Sequence, residues 1–117
     1  MKSLLSSEDG ETLVRLARES AKAYLETGRS FGESGLAKRI GGGALEENRG
    51  AFVTVQAYPQ HELRGCIGFI SPGKPLSKSI SELAMHACVH DSRFKPVDLG
   101  ELENIVFSLV ASIKRDL

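Results

Sequence analysis

Apolar residues recur every three or four positions between Ser7 and about Thr27. Leu13, Leu16, Ala17, Ala21, Tyr24 and Leu25 share one face with Ser20, the period of an amphipathic helix. Ser6, with Asp9 three residues on, offers an N-cap and an acidic first turn, and Gly28 offers a stop. Gly10 weakens that first turn by about 1 kcal/mol relative to Ala. Further along, the period shortens. Ala51-Phe52-Val53-Thr54-Val55-Gln56-Ala57 reads as a strand, and after Pro59-Gln60-His61-Glu62 the run Leu63–Ile70 reads as its hairpin partner. Helical spacing returns from Pro75 to about His90, where Leu76, Ile80, Leu83, Ala84, Ala87 and Cys88 share a face and Pro75 suits the first helical position. Asp91 to Pro96 is a loop, and Leu99–Leu102 a short turn. Ile105–Ile113 is a third strand, with Ile105, Phe107, Leu109, Ala111 and Ile113 alternating toward one side.

Between the first helix and the first strand lies a connector, residues 28–50, with glycines at 28, 32, 35, 41, 42, 43 and 50 and a short helical stretch at Leu36–Ile40. Gly41-Gly42-Gly43 is no phosphate loop. No apolar strand precedes it, and Glu46 stands where the third glycine of GxGxxG belongs.

At 117 residues, 41% hydrophobic and 26% charged, the chain has the size and composition of one globular domain spanning 1–117. Its last apolar strand is followed only by Lys114-Arg115-Asp116-Leu117. Such a strand expects a further neighbour, so the domain reads as incomplete at its C-terminus, and an open edge at residues 105–113 would favour self-association.

Fifteen Lys and Arg balance fifteen Asp and Glu, evenly along the chain, which disfavours phosphate-driven nucleic-acid binding. No stretch has the apolar length of a membrane span or the core of a secretory signal. Two cysteines are too few for a disulfide scaffold, which points to a reducing compartment, by default the cytoplasm. Arg15, Arg18, Glu19 and Lys22 read as the solvent face of the first helix.

The unusual stretch is Leu63-Arg64-Gly65-Cys66-Ile67-Gly68. Strand alternation puts Leu63, Gly65, Ile67 and Phe69 on one face and Arg64, Cys66 and Gly68 on the other. Glycines inside a strand mark a bulge or a surface that something approaches closely. A guanidinium two residues from a thiol on one face can favour the thiolate. The chemistry leaves two readings open: a cleft thiol or anion site, or a Cys packed as a small hydrophobe with Arg64 holding a carboxylate or carbonyls.

LRGCIG at 63–68 is the signature hexapeptide of the AMMECR domain family, which the chain resembles beyond it. Arg49-Gly50-Ala51-Phe52-Val53-Thr54 is similar to the family's strand leading into the hairpin. Lys74-Pro75-Leu76 resembles its helix opening, and Asp91-Ser92-Arg93-Phe94 its DPRF-type loop with Ser for Pro. The resemblance implies an α+β fold, an antiparallel sheet flanked by helices. It also implies association with a radical-SAM protein and a Memo-type, dioxygenase-like protein, the grouping called the AmmeMemoRadiSam system. It names no cofactor.

Two motifs are false friends. Gly68 to Pro75 matches GxxxxGK, but Pro75 replaces the hydroxyl residue and offers neither magnesium ligand nor N–H. What survives is Lys74 beside a helix start, where a carboxylate or phosphate could bind. In His86-Ala87-Cys88-Val89-His90, Cys88 points away from both histidines on a helix, so structural use fits better than a metal site.

The site expected from these residues has Cys66 as nucleophile or group carrier and Arg64 as anion binder. Gly65 and Gly68 admit a small anionic substrate, while Asp91 and Arg93 form a second wall and Lys74 lies nearby. The expected function is an accessory or catalytic component of a modification or biosynthetic pathway. The alternative is a non-catalytic module binding nucleic acid or protein. A third option is purely structural, the glycines allowing tight helix–sheet contact.

Overall fold

The computed structural model describes residues 7–29, 47–69 and 75–111. The fold is α+β. Helix α1 (Ser7–Thr27) is followed by strands β1 (Ala51–Ala57) and β2 (Glu62–Phe69). Helix α2 (Leu76–Val89), a 3-10 helix over Leu99–Asn104 and strand β3 (Ile105–Ala111) complete it. The sheet is antiparallel with order β2-β1-β3.

Both helices lie on one face of the sheet, α2 over β1 and β2, α1 against α2 and β3. The apolar faces predicted from spacing meet there: Leu13, Ala17, Val53, Val55, Ile80, Leu83 and Phe107 belong to one buried cluster. A shared hydroxyl bond between Ser20 and Ser81, at 2.8 Å, satisfies two polar groups where α1 crosses α2, as burial demands. Gly28 ends α1 with φ 74, and its amide donates to the Tyr24 carbonyl at 2.7 Å, the left-handed cap that glycine accepts without strain.

Several boundaries differ from expectation. Pro75 sits at the N-cap with φ −55 and ψ 144, one residue before the helix. The turn after Asp98 is longer, because Asp98 and Glu101 form a reciprocal capping box: Asp98 Oδ1 accepts from the Glu101 amide at 2.8 Å and Glu101 Oε1 from the Asp98 amide at 3.2 Å. Arg18 is not a solvent charge. It donates to the carbonyls of Leu102 and Ile105 and lies over the Phe107 ring, tying α1 to the start of β3. The ends of the connector are anchored, since the Leu76 amide donates to the Glu47 carbonyl at 2.9 Å and buried Arg49 pairs with Glu47 at 2.6 Å. The proposed Leu36–Ile40 helix, the Gly41–Gly43 triplet, Lys74 and Ile113 lie outside the described residues. Among the described residues no helix is long and apolar enough to cross a membrane.

Candidate functional site

The register of β2 against β1 positions every residue of the hexapeptide. Val53 faces Ile67 and Val55 faces Gly65, but Gln56 faces Leu63. Arg64 is therefore the extra residue of a β-bulge, and a bulge resets the alternation on either side of it. Gly65 and Ile67 point to the helices with Val53 and Val55. Cys66 and Gly68 lie on the opposite, outer face beside Thr54 and Phe52, and Leu63 joins them, 37% exposed. The expectation that Leu63 shares the face of Gly65 is thus overturned, and so is the pairing of Arg64 with Cys66 on one surface.

Arg64 is held elsewhere. Its Nε and Nη2 donate to the two carboxylate oxygens of Glu101 at 3.1 and 2.9 Å, and Nη1 to the Lys95 carbonyl at 3.1 Å. This fork-to-fork pair raises the Arg64 pKa, chiefly through the hydrogen bond to Glu101, and Arg64 in turn lowers that of Glu101. The bulge thereby pins the edge of the sheet to the capped 3-10 helix.

The cation beside Cys66 is Arg93. Cys66 and Thr54 face each other in a pair whose backbone groups on β2 point away from β1, toward the sheet edge. There the Cys66 amide donates to Asp91 Oδ2 at 3.0 Å and its carbonyl accepts from Arg93 Nη2 at 3.2 Å. Asp91 and Arg93 are themselves joined by two side-chain bonds, Nε to Oδ1 at 3.0 Å and Nη2 to Oδ2 at 2.7 Å. The Arg93 amide donates to Asp91 Oδ1 as well, at 3.2 Å. The ion pair thus takes the place of a neighbouring strand. Asp91 is buried while the Arg93 side chain stays 59% exposed. The Arg93 guanidinium and the Cys66 and Arg93 amides hold the Asp91 carboxyl far below the usual carboxylate range. Asp91 raises the Arg93 pKa, and the charge of a Cys66 thiolate acts in the same direction.

Cys66 is half-buried, its sulfur sharing a hydrogen bond with Thr54 Oγ1 at 3.3 Å. Cys88 is buried in the core, and burial pushes its thiol up to about 12. Gly65 admits no substrate: a Cβ there would stand 1.9 Å from the Ala87 carbonyl of α2, so its glycine serves the helix–sheet contact. Gly68 sits under the Phe52 ring, where a Cβ would meet ring atoms at 2.5 Å and the Ala51 carbonyl at 2.3 Å. A shallow depression of about 590 Å³ lies along the outer edge, lined by Arg64, Arg93, Lys95, Glu62 and Glu101 among others. Cys66 is not part of its lining. The His86 and His90 rings lie with centroids 5.0 Å apart and planes tilted by 45°, and the described residues contain no metal-binding group of His, Cys, Asp and Glu.

Residues 14–113 match the AMMECR1 family over most of the chain. The chain belongs to that family. It is 47% identical over 102 residues to Protein MK0488 of Methanopyrus kandleri, covering 86% of this chain and 47% of that protein. It is also 47% identical over 105 residues to Protein PF1979 of Pyrococcus furiosus, covering 87% and 48%. The crystal structure of the uncharacterized protein PH0010 from Pyrococcus horikoshii superposes with a TM-score of 0.83 at 39% identity, covering 92% of this chain and 52% of that one. This AMMECR1-family chain spans about half the length of the curated relatives it matches.

Two residues of the AMMECR1-type site escape a reading of the hexapeptide. Thr54 faces Cys66 only once the strand register is known. Glu101 carried a signal, because Asp98 three residues before it spells a capping box, although nothing in that pattern points to Arg64.

Proposed function

We propose that Cys66 is the working thiol of this AMMECR1-family domain, acting as nucleophile or group carrier toward a small anionic substrate. In this reading Arg93 binds the anionic group, Asp91 orients Arg93, and Arg64 and Gly65 hold the strand. Lys74, on the segment leading into α2, is a further candidate for the anion. The observation that carries it is the double clamp of Asp91 and Arg93 on the Cys66 backbone, which keeps an exposed guanidinium next to a half-exposed thiol. The exposed guanidinium offers a partner to an anionic group brought up to that thiol. The proposal extends to a role for this domain, accessory or catalytic, in a modification or biosynthetic pathway with a radical-SAM protein and a Memo-type protein, a reading supported by the resemblance of the LRGCIG hexapeptide alone.

The test is alkylation of the folded protein by iodoacetamide from about pH 6 to about pH 9. Cys66 reacts faster than Cys88 throughout, and Arg93→Ala slows its reaction with anionic iodoacetate more than with neutral iodoacetamide, whereas Arg64→Ala does not. Equal rates for the two thiols would remove the nucleophile role, and a reagent preference indifferent to Arg93 would remove the anion site.

One observation favours a second reading, a non-catalytic protein- or nucleic-acid-binding module. Among the described residues the hydrogen-bond partner of the Cys66 sulfur is a hydroxyl, and neither imidazole nor carboxylate bonds to it. A salt-sensitive complex with nucleic acid would support this reading. No binding at low salt would end its nucleic-acid version.

A further inference from the structure

The outward positions of β1 are Phe52, Thr54 and Gln56, an aromatic residue followed by two polar ones, and Phe52 is 41% exposed. Its ring does not stand away from the sheet. A Cβ on Gly68, the residue opposite on β2, would meet Cγ and Cδ2 of Phe52 at 2.5 Å, so the ring lies across the backbone of β2 where glycine leaves room. An aromatic side chain laid over a cross-strand glycine strengthens a sheet. That contact occupies the part of the ring that touches β2 and leaves the remainder free to receive another apolar group.

The same placement sets the ring beside the thiol and its cation. Phe52 faces Gly68 and Thr54 faces Cys66, so Phe52 and Cys66 are diagonal neighbours on one face, a relation that an aromatic side chain can bridge. Cys66 and Gly68 are about 7 Å apart along the strand. The Cys66 carbonyl accepts from Arg93 Nη2 at 3.2 Å, and the Arg93 side chain is 59% exposed. Guanidinium, sulfur and ring thus follow one another along a single strand, within the length of one substituted benzene. Tyr58, more exposed at 60%, lies past the other end of β1 with its ring edge-on to His61.

From this we infer that Phe52 is a specificity-determining residue of the Cys66 site and that the ligand it selects is an aromatic anion. The charged group of the ligand meets Arg93, and its ring packs on Phe52 in offset or edge-to-face contact, with centroids about 4.5–7 Å apart. The inference rests on the reading of Arg93 as anion binder beside the Cys66 thiol, and adds the chemical class of the substrate. An aliphatic anion of the same charge leaves the ring unused, and a neutral arene leaves the guanidinium unused.

Chemical-shift titrations of the folded protein test it, with phenyl phosphate against methyl phosphate and benzoate against acetate. The aromatic member of at least one pair binds about 3- to 10-fold more tightly than its aliphatic partner and shifts the Phe52 ring and the Cys66 amide. Phe52→Leu, which keeps an apolar side chain over Gly68, brings the two members to within about twofold. Phe52→Tyr keeps the preference, and Tyr58→Leu leaves it as it was. Arg93→Ala weakens both members alike. Equal affinity for aryl and alkyl anions in both pairs, or a preference that survives Phe52→Leu or vanishes with Tyr58→Leu, would overturn this inference and leave the anion site standing. Binding indifferent to Arg93→Ala, or no binding of any of the four anions, would overturn the anion site and this inference with it. Because binding is read without any reaction of the sulfur, a failure of Cys66 as nucleophile shows separately, in its alkylation.

Discussion

Asp91 accepts the backbone amide of Cys66 at 3.0 Å, so the loop after α2, not the bulged arginine of the hexapeptide, sets the surroundings of the thiol. Because the folded-state pKa of Asp91 is depressed, its contribution to stability is complete above the unfolded carboxylate pKa of about 3.9 and is lost as pH falls through the folded value. Asp91→Asn keeps the shape but weakens every charge-assisted bond. Urea unfolding at neutral pH should show a lower midpoint for the variant, and the gap from wild type should close in strong acid. An unchanged gap would mean the carboxylate charge is not what matters.

Glycines at two positions should respond in opposite directions to the same substitution. Gly65→Ala drives a methyl into the Ala87 carbonyl at 1.9 Å, a backbone atom that cannot swing aside. A loss of about 1–3 kcal/mol or more is expected. Gly10→Ala meets nothing within 4 Å and should gain up to about 1 kcal/mol from helix propensity. Thermal or urea denaturation of both variants decides it.

The bidentate pair of Arg64 and Glu101 should behave as a structural clasp. A double-mutant cycle with Arg64→Ala and Glu101→Ala should yield a coupling of about 1 kcal/mol at neutral pH, modest because Glu101 is partly exposed. Arg64→Lys should recover little of it, since an ammonium cannot reproduce the fork. Zero coupling would show that the pair does not fasten the bulge.

Cys88 should be felt in the core and nowhere else. Cys88→Ser buries a hydroxyl among Ala84, Leu83 and their neighbours and should cost about 1–3 kcal/mol by denaturation. Cys66→Ser, beside Thr54 on the outer face, should cost less. The reverse order would mean that the two thiols have been assigned to the wrong environments.

Much of this was legible in the residue order. Period alone marked α1, β1, α2 and β3 to within a few residues, because each element buries one apolar face and the spacing of that face is its signature. The hexapeptide, with its ordered flanking motifs, was enough to name the family. Which residues meet across the sheet was decided only by the tertiary structure. One extra residue at Arg64 resets the alternation of β2, a register effect that depends on the partner strand. With it Arg64 turns to Glu101, 37 positions away, and Arg93, 27 positions away, reaches the Cys66 carbonyl instead. Local spacing encodes the faces of single elements, whereas charges choose partners that only the packed chain brings within reach.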